Sequence, residues 1–207
     1  MPFSLISTED RQSLPNGIED AYPLTRLQLG MIFHSEYAPS TAVYHDVMSY
    51  FVQAPLNIQI LHSAIKEIIA RHPVLRTSIS LNQFSQSLQL VHSQVTIDLP
   101  VDDISSFLLD EQEKIIATWI EQDKKSPFVW DKTPLLRFHL HQRSGNTFNL
   151  TLSCHHAILD GWSVATLMTE LLQQYLFLLG EKVLPLKKAP SITFRDYVAL
   201  EQAALKS

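Results

Sequence analysis

Between Leu136 and Cys154 the side chains keep a strict period of two. Leu136, Phe138 and Leu140 alternate with Arg137, His139 and His141, and after Ser144-Gly145-Asn146 the period resumes in Phe148, Leu150, Leu152 and Cys154. Successive strand residues point to opposite faces, so this pattern on both sides of a turn-forming tripeptide defines a hairpin with one apolar face. From Val164 the period changes. Apolar residues at 164, 165, 168, 171, 172, 175, 176 and 179 share one helix face, with Ser163 the expected N-cap and Gly180 placed to end the helix. A strand, a tight turn and a helix therefore enclose the adjacent pair His155 and His156.

The remaining elements are less sharply marked. Residues 1–21 are polar, contain Pro15-Asn16-Gly17 and hold no period, which reads as a leader or interdomain linker before a domain spanning 22–207. A helix is expected over Pro23–His34 with Thr25 as N-cap, and a strand over Ala42–Val52. Leu56, Ile60, Leu61, Ala64, Ile65, Ile68 and Ile69 form a helical stripe that Pro73 stops. Leu75–Leu81 and Ser87–His92 read as successive strands. A helix follows at 110–125, opened by Asp110 and Glu113 and burying Ile115, Ile116, Trp119 and Ile120. Phe194–Leu205 is the last helix. The fold class is α/β.

Composition narrows the function. A net charge of -5 gives no footprint for phosphate backbones, so nucleic acid is not an expected partner. The five glycines are scattered and assemble neither a P-loop nor a dinucleotide-binding cluster. The single cysteine, Cys154, cannot form an internal disulfide, and the first residues lack a basic-then-apolar signal layout. Leu171–Leu179 is interrupted by Gln173 and Gln174 and falls short of the roughly 20 residues that span a bilayer. A cytoplasmic protein without membrane attachment is expected.

If the second hairpin strand keeps its register past Cys154, His156 joins the face of Phe148, Leu150 and Leu152, and His155 takes the opposite face. One histidine can then face a cavity while the other packs behind the sheet, and the Asp160-Gly161 turn brings a carboxylate and a helix N-terminus near the imidazole. This suits proton transfer at a carbonyl centre, with amides stabilising an oxyanion. Spacing alone equally permits a buried polar pair. A metal held by His156 and Asp160 requires both on one helix face, which Gly161 and the strand-to-turn context oppose, so no metal ligands are assigned. Cys154, inside the apolar alternation, reads as an inert core thiol.

Ser153-Cys154-His155-His156-Ala157-Ile158-Leu159-Asp160-Gly161-Trp162-Ser163 resembles the His-His-x-x-x-Asp-Gly signature of nonribosomal peptide synthetase condensation domains. Tyr22-Pro23-Leu24-Thr25-Arg26-Leu27-Gln28-Leu29-Gly30-Met31-Ile32-Phe33-His34 is similar to that family's first core motif, and Arg71-His72-Pro73-Val74-Leu75-Arg76-Thr77-Ser78 to its second. All three stand in family order. The resemblance implies a chloramphenicol-acetyltransferase-like lobe, a mixed β-sheet flanked by helices. That lobe would be the amino-terminal half of a V-shaped domain whose carboxy-terminal lobe lies outside this chain.

The same resemblance implies the chemistry. An acceptor aminoacyl amine attacks a donor acyl or peptidyl thioester, each carried on a carrier protein's phosphopantetheine arm, with no permanently bound cofactor. Donor and acceptor carrier proteins, the second lobe and an adjacent adenylation domain are the implied partners. His156 is the implied catalytic residue, as general base or by positioning the amine and tetrahedral intermediate. His155 is architectural. Asp160 is expected to form a structural ion pair with Arg76, and Gly161 to permit the tight turn and offer its amide. Arg71, His72 and His34 read as capping, packing or exposed residues, and Trp162 as packing at the helix start or lining the tunnel. An epimerization domain, a stand-alone acyltransferase and an inactive scaffold fragment are the competing functions.

Overall fold

The computed structural model describes residues 1–38 and 41–206. The hairpin forms where the alternation demands, as β6 (Leu136–Gln142) and β7 (Thr147–His155). Gly145 takes a left-handed φ of 68° in the connection, a backbone state that costs glycine little. Strand β2 (His45–Gln53) pairs antiparallel with β7 along its whole length, from His45 opposite His155 to Gln53 opposite Thr147. A short parallel strand, β5 (Val101–Asp103), lies on the other side of β6. The four form one mixed sheet in the order β2-β7-β6-β5.

A second sheet separates from the expected single one. It is antiparallel, in the order β1-β4-β3, and consists of β1 (Ile18–Pro23), β4 (Leu88–His92) and β3 (Thr77–Ser80). Residues 1–21, expected as a leader, contain a helix, α1 (Thr8–Gln12), and most of β1. This stretch is tied to the body of the protein. The buried Asp10 carboxylate accepts from the Ser85 amide at 2.9 Å, and the buried Asp20 accepts from Arg195 at 2.5 Å. The linker reading failed because β1 is paired through its backbone to β4, about 70 residues on, and its burial pattern does not alternate.

Helices α3 (Ile58–Arg71) and α5 (Gly161–Leu178) cover the even-numbered face of β7. There Leu61, Ile65, Ile68, Val164, Leu167 and Leu171 close a core with Phe148, Leu150, Leu152 and Cys154. Tyr175 fastens the two helices' ends, donating its hydroxyl to Pro55 O at 2.6 Å and accepting the Asn57 amide at 2.9 Å. Burial holds the Cys154 thiol unreactive, its pKa pushed up to about 12.

The odd-numbered face is buried as well, although its side chains are polar. Helix α4 (Leu109–Asp123) lies over it, with Trp119 stacked on His139 at 4.3 Å and Gln112 accepting from Arg143 at 2.9 Å. Alternation distinguishes apolar from polar; it does not distinguish exposed from buried, because polar groups that pair with one another can also be covered. The opening of α4 differs too. Its N-terminus is closed by Glu111, whose carboxylate accepts the Leu108 amide at 3.0 Å, in place of Asp110 and Glu113.

Helix α2 (Arg26–Tyr37) begins at the expected Thr25, which makes a full capping box with Gln28. Helix α6 (Phe194–Ala204) docks on β1 through Arg195. No described helix is long and apolar enough to cross a membrane.

Candidate functional site

Strand pairing carries β7 one step past its end: the His156 amide donates to Tyr44 O at 2.8 Å. The two imidazoles therefore part to opposite faces, as the register requires. On the core face, Asp46 lies opposite Cys154 and reaches diagonally to His156, its Oδ2 standing 2.7 Å from Nδ1. A carboxylate only accepts, so Nδ1 carries the proton in this bond and the Nε2 lone pair is left as a proton acceptor. Both side chains are partly accessible, 34% for His156 and 42% for Asp46.

The chain then turns sharply, with the Ile158 amide donating to His155 O, and α5 begins. Asp160 caps α5: its Oδ1 accepts the Ser163 amide at 2.7 Å, so the cap is Asp160 and not the expected Ser163. Hydrogen bonds from Ser163 hold the Asp160 carboxyl below the usual carboxylate range. The expected ion pair with Arg76 is not formed. Arg76 is buried beneath the other sheet, paired with Glu19 at 2.8 Å and donating to the carbonyls of Ile69, His92 and Ala70. A buried guanidinium needs a charge partner and several acceptors, and β1 supplies the charge from a segment whose sequence reads as a linker.

Asp160→Ala is expected to cost about 1 kcal/mol, the usual worth of an N-cap, and Asp160→Asn to restore most of it. Urea denaturation of the variants checks this. A loss that Asn does not rescue would point to the charge rather than the cap.

Gly161 occupies the first helical position, where a Cβ would meet nothing within 4 Å, and its φ is not left-handed. The turn therefore does not demand glycine, and the space beside it is open. Trp162, expected to pack at the helix start or to line the tunnel, is 84% exposed and lines a cleft beside His156. The cleft has a volume of about 930 Å³ and lies among α2, α5, α6 and the His156 turn, with His156, Trp162, Met31, Leu27 and Tyr197 on its walls. Arg71 and His72 stand at its rim, both bonded to Glu170 of α5, at 2.9 and 2.7 Å.

His155 is held on the other face. Its Nδ1 accepts the Ala157 amide at 3.0 Å, which places the proton on Nε2, and Nε2 meets Ser35 Oγ at 3.0 Å. Ser35 in turn donates to Met31 O, and Trp130 packs edge-on against the ring at 4.6 Å. Burial depresses its pKa to about 4. Because the folded value lies below the unfolded 6.5, this contribution to stability is complete above about pH 6.5 and is lost as pH falls from there towards about 4. Within that window His155 steepens the loss by up to about 1.4 kcal/mol per pH unit. Denaturation at pH 7.5 and pH 5 should give a smaller difference in His155→Gln than in the parent chain; equal differences would remove His155 as the cause.

Two residues of this site escaped the sequence reading. Asp46 had a signal: it is the one charged residue on the face of β2 that also carries Met48, Tyr50 and Val52. Gln28 had none. Its amide bridges the two sheets, donating to Ala157 O and to Gln89 Oε1, both at 2.9 Å, and accepting the Thr25 amide at 2.9 Å. It thereby fixes the residue that follows His156.

An α/β lobe with a histidine on a strand-to-helix turn, lining a cleft and oriented by a carboxylate, is an arrangement suited to general acid-base chemistry. The sequence model of the Condensation domain family matches residues 18–207, and the chain belongs to the condensation-domain family of nonribosomal peptide synthetases. It is 38% identical over 98% of its length to AMB antimetabolite synthetase AmbE of Pseudomonas aeruginosa, covering 10% of that protein. It is 31% identical over 88% of its length to a linear gramicidin synthase of Brevibacillus parabrevis, covering 4% of it. The chain thus spans a tenth or less of these relatives. Among solved structures, it is similar to the starter condensation domain of rhizomide synthetase RzmA, with a TM-score of 0.77 and 14% identity over 91% of this chain and 46% of that one. The first condensation domain of the calcium-dependent antibiotic synthetase matches with a TM-score of 0.77 and 19% identity, over 92% of this chain and 46% of that one.

Proposed function

We propose that the cleft is one wall of an active site in which a carrier-bound aminoacyl amine attacks a carrier-bound acyl or peptidyl thioester. The new C–N bond forms as the C–S bond breaks, and the proton lost by the amine balances the thiol that leaves. The observation that carries this reading is the 2.7 Å contact of Asp46 with His156 Nδ1, which leaves Nε2 as the basic atom of the ring. An amine with a reference pKa of about 8 is already partly nucleophilic at neutral pH. Its nitrogen becomes strongly acidic only as the bond forms, and His156 takes the proton then while holding the amine in line.

His155, Asp160 and Gln28 act behind the reaction centre by holding the turn. Gly161 leaves room for substrate beside the first turn of α5, whose Gly161 and Trp162 amides are not used by the Asp160 cap. The substrates arrive on phosphopantetheine arms of donor and acceptor carrier proteins, and a carboxy-terminal lobe supplies the facing wall. An adenylation domain loads the acceptor carrier.

The test is condensation by a two-lobe domain containing this chain, followed by mass spectrometry of the acceptor carrier. Amide product with carrier-bound donor, and little with the free acyl donor, is expected; efficient use of free donors would favour a stand-alone acyltransferase. Exchange of the donor Cα proton without amide product would favour epimerization. The 207-residue chain alone is expected to turn over little, and substantial turnover without a second lobe would overturn the two-wall site.

A further inference from the structure

The polar face of the large sheet holds a second cluster, separate from His156. His139 and His141 are two apart on β6 and so project from the same face, while Asp102 of β5 lies directly opposite His141 in the parallel register. Asp102 Oδ2 is 3.0 Å from His139 Nε2 and 3.9 Å from His141 Nε2, and one ligand atom from each of the three residues lies within 4.8 Å of the others. A tetrahedral ion with ligands at about 2.0–2.2 Å separates its donor atoms by about 3.4 Å. The 4.8 Å limit exceeds that by about 1.4 Å, a movement shared among the three side chains in closing onto one ion.

Burial makes the arrangement unusual. His141 is 0% exposed, and neither of its ring nitrogens has a hydrogen-bond partner among the described residues. A buried polar group left unpaired is costly, so such a group needs an explanation. Asp102 is half-exposed and gives an ion a route in from solvent. Trp119 closes the inner side, stacked on His139 at 4.3 Å and edge-on to His141 at 5.7 Å. The two arginines flanking the pair do not leave free positive charge against a cation: Arg137 pairs with Asp123 at 3.2 Å and Arg143 with Glu113 at 2.6 Å.

We propose that Asp102, His139 and His141 form a binding site for a divalent transition-metal ion of the zinc class, with a fourth position open to solvent. Two imidazoles and one carboxylate suit Zn²⁺ and Co²⁺ and disfavour Mg²⁺ and Ca²⁺, which prefer oxygen ligands. The ion joins β5, a three-residue edge strand, to β6. It lies on the opposite face of the sheet from His156 and Asp46, so its role is to brace the sheet edge. The site revises the absence of metal ligands read from the sequence, which weighed only His156 and Asp160.

The experiment is titration of the chelator-stripped chain with Zn²⁺ by calorimetry and with Co²⁺ by visible absorption. One saturable equivalent is expected, with tetrahedral Co²⁺ bands that Zn²⁺ displaces. Asp102→Asn and His139→Gln should each weaken binding about tenfold or more. Asp102 is half-exposed, so its variant keeps the fold, which matching apo melting temperatures would verify. Absence of saturable binding in the parent chain, or parental affinity in either folded variant, would overturn the proposal.

Discussion

In a two-lobe domain carrying this chain, His156→Ala lowers amide formation by about 10²–10⁴-fold, the usual worth of a positioned acid-base group. The folded state changes little, because the ring is one-third exposed and Asp46, its side-chain hydrogen-bond partner among the described residues, is itself accessible. Loss of rate should therefore appear without loss of melting temperature. Asp46→Asn is the sharper companion. An amide can donate to Nδ1 as well as accept, which would move the ring proton to Nε2 and remove the lone pair that faces the cleft. We expect kcat to fall by about 10–10²-fold in this variant, with KM for the acceptor carrier nearly unchanged. Single-turnover assays with pre-loaded carriers measure both. A folded His156→Ala domain that condenses at the parent rate sinks the catalytic assignment, and a fully active Asp46→Asn domain would reduce the pair to a surface contact.

The second large effect is structural. Gln28→Ala is expected to destabilise the chain by about 2–4 kcal/mol, since it removes a partner from the Ala157 carbonyl, the Gln89 side chain and the Thr25 amide, all on buried residues. For a chain of this length that corresponds to a fall in melting temperature of roughly 5–15 °C. Gln28 joins three elements that are distant in sequence: the start of α2, strand β4 of the small sheet, and the turn that follows β7. Its loss should also slow condensation, because the Ala157 peptide adjoins His156. Urea titration reads the stability, and a change below about 0.5 kcal/mol would show that solvent or a neighbour replaces the amide.

The residues behind these effects differ in how far the sequence foreshadows them. The hairpin and α5 follow from side-chain period alone, because the pleat and the helical turn impose 2.0 and 3.6 residues on whatever faces the core. Even the parting of His155 from His156 follows, since one residue along a strand reverses the face. The three motifs likewise point to the family without any knowledge of tertiary contacts. The limits of that reading have the same origin.

Period reports which face a residue takes, and not what stands across from it. Asp46 lies 110 residues before His156, and only the β2–β7 register brings them to 2.7 Å. Arg76 found Glu19 rather than Asp160 because β1 joined the small sheet, a pairing of backbone groups that leaves little trace in side-chain pattern. Alternation marks His139 and His141 of β6 as polar but not as buried, and they are buried because α4 folds back over them. The amino-acid sequence by itself determined the hairpin, the longer helices with their apolar faces, and the parting of the two histidines. The tertiary structure alone decided that histidine's carboxylate partner, the glutamine behind its turn and the burial of His139 and His141, since each depends on contacts between segments that local pattern does not connect.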